Sequence, residues 1–205
     1  MVIATLRHNR RKFPISVRPT GTDIAIARGI ARHTAPAPEE AARALTWGAD
    51  EKILLVLAAA GWVLSRGRSE PLQRAGNHAL LTTVAASLLP HAMKSLFDQT
   101  RPDRKTVLGH VHGVSLSGKS EDAFPSGHAL HMGALASAAG ALQPGPRRAV
   151  RTLAVGISLT RILVLAHWAS DVVAGFAIGA VLERLLRLWT GYPACLSREI
   201  DHGGT

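Results

Sequence analysis

The chain has 205 residues, 47% of them hydrophobic, with 24 Lys+Arg against 14 Asp+Glu for a formal charge of +10. That size suits one domain, or a small helical bundle with attached segments, and the apolar content excludes global disorder. The single cysteine, Cys195, excludes an intrachain disulfide framework and any Cys-rich metal cluster, while a mean hydropathy of +0.14 leaves soluble and membrane classes both open.

The first twenty residues hold Arg7, Arg10, Arg11, Lys12 and Arg18 and no acid, which is half of the net charge. Such a cluster suits an anionic membrane surface, nucleic acid or plain solvation. No apolar run follows it, so the segment does not resemble a secretory signal. Next, Ile24, Ala27, Ile30 and Ala31 recur at helical spacing, with Arg28 and Arg32 on another face. The break at Ala35-Pro36-Ala37-Pro38 separates this piece from Glu39–Trp47. Both read as surface or membrane-interface helices.

Five apolar stretches follow, at Ile53–Ser65, Ala79–Phe97, Ala129–Leu142, Leu153–Trp168 and Val172–Leu182. Their Ala and Leu content favours helix, and none alternates as a half-buried strand would. Only Ala79–Phe97 approaches the ~20 residues of a span, and it contains His91 and Lys94. The succession of five, with few internal charges and a Gly175/Gly179 pair suited to close helix approach, favours the membrane reading. The expected fold is therefore an all-α integral-membrane bundle of about five spanning helices, preceded by an N-terminal interfacial helical segment. Its expected divisions are a basic amphipathic arm over 1–50, an embedded domain over 51–190 and a tail over 191–205.

Three polar groups interrupt the grease, where such residues are costly without a task. Lys94 and Arg101-Pro102 are seven apart, which on a continuous helix is one face two turns on. Pro125-Ser126-Gly127-His128 precedes an apolar stretch, and helix N-termini bind anions. Thr160-Arg161, His167 and Asp171 form the third group, with a carboxylate one helical turn from an imidazole. If the five stretches cross alternately, all three groups fall at one end of the bundle. That arrangement describes a phosphate-like anion site with a nucleophile.

Taken together, Lys94-x6-Arg101-Pro102, Pro125-Ser126-Gly127-His128 and Arg161-x5-His167-x3-Asp171 resemble the three signature blocks of the type 2 phosphatidic acid phosphatase superfamily, whose site is shared with bacterial acid phosphatases and vanadium haloperoxidases. The resemblance covers about Ile53 to Trp189, with Thr160 where the family usually has Ser. It implies that His167 is the nucleophile, Asp171 its orienting partner, and His128 the general acid and later base. It implies further that Lys94, Arg101 and Arg161 hold the phosphoryl oxygens, helped by the Ser126 hydroxyl and the Gly127 N–H. Three cations then do the work of a metal, so neither metal nor other cofactor is expected. Glu121-Asp122 alone are a thin basis for a divalent-ion site, and the Gly-containing loop from Asp103 to Phe124 suits a flap over the site.

The expected activity is an integral-membrane phosphatase acting on a lipid phosphate or pyrophosphate through a phosphohistidine: polyprenyl pyrophosphate, phosphatidic acid, phosphatidylglycerol phosphate or a polyprenyl-phosphoryl sugar phosphate. The alternatives are a phosphotransferase using the same intermediate and a non-catalytic lipid-phosphate binder. Expected partners are the lipid substrate and the bilayer, without nucleic acid, and the sequence leaves oligomeric state open. Arg66, Arg68, Arg74, Arg147, Arg148 and Arg151 in two short loops set the opposite face as cytoplasmic. The site would then face the periplasm or exterior of a bacterial plasma membrane.

Overall fold

A computed structural model of the chain describes residues 15–33, 36–102, 107 and 123–193. A two-residue strand β1 (Ile15–Ser16) leads to helices α1 (Gly21–His33), α2 (Pro36–Thr46), α3 (Glu51–Ser65) and α4 (Glu70–Lys94). Strand β2 (Phe97–Asp98) pairs in parallel with β1, and α5 (Gly127–Ala138), α6 (Pro144–Leu163) and α7 (Ala169–Thr190) complete the fold. Helix starts follow ordinary capping chemistry. Asp50 accepts from the Lys52 and Ile53 amides to begin α3, and Ser126 accepts from the Ala129 amide to begin α5. Gly191 ends α7 in the left-handed region, at φ 64°.

Helix α5 is the centre of the bundle, and its face from Ala129 to Ala134 is buried. It packs most extensively on α7, and also touches α4 and α6. The α5–α7 approach depends on glycine. A methyl at Gly175 would lie 2.5 Å from the Ser126 carbonyl oxygen, and one at Gly179 2.8 Å from the Leu130 carbonyl carbon. The Gly175/Gly179 pair thus brings two backbones together, as its spacing suggests. Ala49, Met132, Ala136, Ala154 and Ile157 form the main apolar core. At the far end of the bundle, fully buried Glu183 accepts from Arg187 Nε (2.6 Å) and His78 Nε2 (3.0 Å).

The five apolar stretches are helical, but they are not membrane spans. Among the described residues no helix is long and apolar enough to cross a membrane. At 1.5 Å per residue, the 15 residues of α3 reach about 22 Å and the 12 of α5 about 18 Å, against a hydrocarbon core of about 30 Å. The longer helices fail on polarity. Helix α4 carries Glu70, Arg74, His91 and Lys94, α6 carries Arg147, Arg148, Arg151 and Arg161, and α7 carries Asp171, Glu183, Arg184 and Arg187. Val56, Leu57, Leu64, Val173 and Leu188 are exposed, but no single helix extends that surface across a bilayer.

The expected five-span bundle, the bilayer as partner and the plasma-membrane location with an outward-facing site are all corrected by this finding. Without spans, the loop arginines carry no topological information. The N-terminal helices also make contacts within the protein. Helix α2 packs along α6, and the Ile24, Ala27, Ile30, Ala31 stripe of α1 covers Ala123, Leu165 and Trp168. The apolar stripe of α1 that the periodicity registered is thus at least partly a face for protein.

Candidate active site

Each polar group reaches the same end of the bundle by a different local device. Helix α4 stops at Lys94, where the Ser95 and Leu96 amides close back on the Ala92 and Met93 carbonyls at 3.2 and 2.8 Å. The chain then extends through β2 to Arg101. Lys94 and Arg101 therefore share no helical face, because strand pairing with β1 takes over between them. Helix α6 ends on a tight reversal in which the Ala166 and His167 amides both donate to the Arg161 carbonyl, at 3.1 and 3.2 Å. Leu165 takes the left-handed backbone at φ 51°, uncommon for a branched residue. The reversal puts His167 back over Arg161, and α7 starts only at Ala169.

Lys94, Arg101, Gly127, His128, Arg161 and His167 line one cavity of about 460 Å³, together with Asp50, Lys52, His91 and His131. Three cations and two key histidines thus converge from α4, the segment after β2, α5, α6 and the α6–α7 reversal. The buried His167 donates from Nδ1 to the Ala123 carbonyl at 2.7 Å. A carbonyl can only accept, so Nδ1 carries the proton and Nε2 keeps its lone pair. Burial, then Arg161, Arg101 and Lys94, hold the imidazole well below its usual pKa, against the Ala123 bond.

His128 is pushed down to about 3 by burial, then Arg161, with His131 and Lys94 adding and Asp50 opposing. Arg161 is itself lowered to about 10 by burial and by Arg101. These shifts share one origin, a low-dielectric pocket in which the cations Lys94, Arg101 and Arg161 outweigh the opposing charge of Asp50. Arg161 Nη1 donates to Thr46 Oγ1 at 3.0 Å, which anchors it to the end of α2.

Three singled-out residues stand behind the cavity wall. Asp171 is fully buried, and its Oδ2 accepts the Trp168 amide at 3.0 Å while lying 3.8 Å from His167 Nδ1. Its immediate bond therefore closes the start of α7, and the His167 hydrogen bond goes to Ala123. Burial raises Asp171 to about 7, with Asp23 adding, and the Trp168 amide, Gln99 and Arg101 opposing. Ser126 is fully buried, with its hydroxyl on the Ala129 amide at 3.4 Å. Thr160 donates to the Ile157 carbonyl at 2.6 Å, so its hydroxyl is engaged within its own helix.

Sequence reading did not single out Asp50, Lys52, His91 or His131, which line the cavity, or Thr46, which receives Arg161. The available signal was the alternation argument itself, which puts the start of the first apolar stretch beside the end of the second. Asp103, Gly109, His110, His112, Gly113, Gly118, Glu121, Asp122 and Cys195, and the basic cluster from Arg7 to Lys12, lie outside the described residues. Among the described residues no group of three or more His, Cys, Asp or Glu is placed to hold a metal ion.

A family model described as the PAP2 superfamily matches residues 75–194, more than half of the chain. The chain belongs to the PAP2 superfamily. The matched span holds every singled-out site residue, from Lys94 to Asp171. A lipid A 1-phosphatase of Rhizobium johnstonii is 37% identical over 106 residues, 51% of this chain and 43% of that protein. A lipid A 1-phosphatase of Rhizobium etli is 35% identical over 105 residues, 51% of this chain and 45% of that protein. This PAP2 chain spans less than half the length of the curated relatives it matches. Among solved structures, a transmembrane PAP2-type phosphatidylglycerolphosphate phosphatase from Bacillus subtilis aligns at TM-score 0.60 and 21% identity, over 87% of each chain. Aquifex aeolicus LpxE aligns at TM-score 0.63 and 19% identity, over 81% of this chain and 94% of its own. At those identities the likeness is one of fold. Membership and the two rhizobial relatives together support a phosphatase-type hydrolase.

Proposed function

We propose that this PAP2 chain is a metal-independent phosphatase that hydrolyses a phosphate ester of a lipid through a phosphohistidine on His167. The observation that carries the reading is the convergence of His167, His128, Lys94, Arg101 and Arg161 on one cavity. The rhizobial relatives, named as lipid A 1-phosphatases, support a phosphorylated lipid as the substrate class.

Lys94, Arg101 and Arg161 hold the phosphoryl oxygens, and the Gly127 N–H at the start of α5 adds a dipole. The Nε2 lone pair of His167 attacks phosphorus, and the bond from phosphorus to the ester oxygen breaks. His128 gives its proton to the departing alkoxide. Positive charge that develops on the phosphorylated imidazole is shared through Nδ1–H with the Ala123 carbonyl, and the Asp171 carboxylate 3.8 Å away stabilises it further. Neutral His128 then takes a proton from water, which attacks phosphorus and releases inorganic phosphate and free His167.

The depressed pKa of His128 fits this cycle. An incoming phosphate offsets Arg161 and Lys94, two of the charges that keep the proton off, so substrate binding itself favours the acid form. The test is phosphate release by the full chain, His167→Ala and His128→Ala on lipid A 1-phosphate, phosphatidylglycerol phosphate, phosphatidic acid and polyprenyl pyrophosphate. Wild-type turnover with loss of at least about 1,000-fold in His167→Ala is expected. Undiminished turnover by His167→Ala removes the nucleophile and the reading with it.

A further inference from the structure

One buried carboxylate outside the family match ends two helices at once. Asp23, in the first turn of α1, forms a reciprocal cap with Thr20. Its Oδ2 accepts from Thr20 N at 2.9 Å and Thr20 Oγ1 at 2.8 Å, and its own amide donates to Thr20 Oγ1 at 3.1 Å. The same side chain accepts from Ser170 N at 2.9 Å and from Ser170 Oγ at 2.8 Å. Ser170 lies in the first turn of α7, between the His167–Trp168 reversal and Asp171, 147 residues away in sequence.

The surroundings of this contact are built, not incidental. Asp23 is only 3% exposed. Ile24, Ala27, Ile30 and Ala31 of the same helix pack on Ala123, Leu165 and Trp168. Ala123 supplies the carbonyl that holds His167, Leu165 is the left-handed residue of the reversal, and Trp168 contributes the amide that Asp171 caps. Helix α1 therefore touches each backbone piece that orients the imidazole. Burial pushes Asp23 up, but the bonds from Ser170 and Thr20 outweigh it and hold the carboxyl below its usual value. Asp23 is thus an anion at neutral pH, facing the positive ends of two helix dipoles.

We infer that Asp23 is a positioning residue for the proposed phosphoryl transfer: by tying α1 to the start of α7 it fixes the reversal that presents His167, and its charge sets the field at Asp171. The inference rests on the phosphatase reading. The groups acting on Asp171 are Asp23 from α1, Gln99 and Arg101 from the segment after β2, and His167 with the Trp168 amide from the reversal. Of these, Asp23 is the one like charge. Removing it makes Asp171 easier to ionise, whereas a purely structural loss leaves that titration in place.

The experiment measures kcat, KM and their pH dependence for wild type, Asp23→Asn, Asp23→Ala and Ser170→Ala, with p-nitrophenyl phosphate as a small substrate that needs no apolar contacts. In Asp23→Ala, kcat falls about 10- to 100-fold while KM stays within about twofold, since orientation and not binding is lost. In Asp23→Asn, the low-pH limb of kcat moves down by about one unit. Ser170→Ala, which keeps the amide bond, gives a smaller loss, and it carries the test should Asp23→Ala not fold. An active wild type with Asp23→Asn and Ser170→Ala matching it in kcat and pH profile overturns the role of Asp23. A wild type with no turnover on this substrate or on any lipid phosphate overturns the phosphatase reading, and the inference with it.

Discussion

Gly175→Ala is the perturbation that most directly couples packing to the site. The added methyl would sit 2.5 Å from the Ser126 carbonyl oxygen, and 3.4 Å from the Ala129 methyl. Favourable contact needs about 3.5 Å, so α5 and α7 must part locally by about 1 Å. The displaced carbonyl belongs to the residue that caps α5, two positions before His128. The neighbouring Ser126 amide donates to the Asp171 carbonyl at 3.3 Å, so both sides of the site move apart. Overpacking of this kind costs about 1–3 kcal/mol. For a chain of this size that lowers Tm by roughly 2–4 °C per kcal/mol, hence by about 2–12 °C. A misplacement of about 1 Å at the chemistry costs up to about 100-fold in kcat. Gly156→Ala on the exposed face of α6 is the matched control, since a methyl there meets nothing within 4 Å. It should raise stability by about 0.5–1 kcal/mol and leave kcat alone. Differential scanning fluorimetry and phosphate release on both variants decide the matter. A Gly175→Ala protein with wild-type Tm and wild-type kcat refutes the close-approach argument.

Three further outcomes follow from the geometry. Thr46→Val removes the hydroxyl that receives Arg161 Nη1, so KM for a phosphate ester should rise about threefold to tenfold, read from steady-state kinetics. Glu183→Ala leaves His78 and Arg187 without their buried partner and should cost about 3–5 kcal/mol in chemical denaturation, with KM unchanged because the cluster lies at the other end of the bundle. His128 has a folded pKa of about 3 against 6.5 unfolded, so the folded state binds fewer protons and stability is lost as pH falls from 6.5 toward 3. His128→Gln should flatten that slope by up to about 4 kcal/mol in pH-dependent denaturation, and an unchanged slope would contradict the burial argument.

The helices were legible because apolar periodicity reports a buried face directly, and the site was legible because three polar blocks recur at stretch ends. What covers an apolar face is a different matter. Ile24, Ala27, Ile30 and Ala31 look the same whether they meet lipid or Leu165 and Trp168, so the pattern could not separate an interfacial helix from a docked one. Hydrophobic runs likewise gave helix type without helix length, since α4, α6 and α7 extend past their apolar stretches into charged turns. Spacing also misjudged local geometry. Lys94 and Arg101 are seven apart across a helix end and a strand, and His167 precedes the helix that holds Asp171. The Asp23–Ser170 bond, at a separation of 147 residues, has no local signature at all.

The central claim is covalent transfer to His167, and acid-sensitive trapping of the phosphoenzyme tests it most directly. The full chain, mixed with 32P-labelled substrate and quenched in base within milliseconds, should carry label that is stable to base and released by acid, as an N–P bond requires. His167→Ala should carry none. Turnover without label in wild type, or equal label in His167→Ala, contradicts the account.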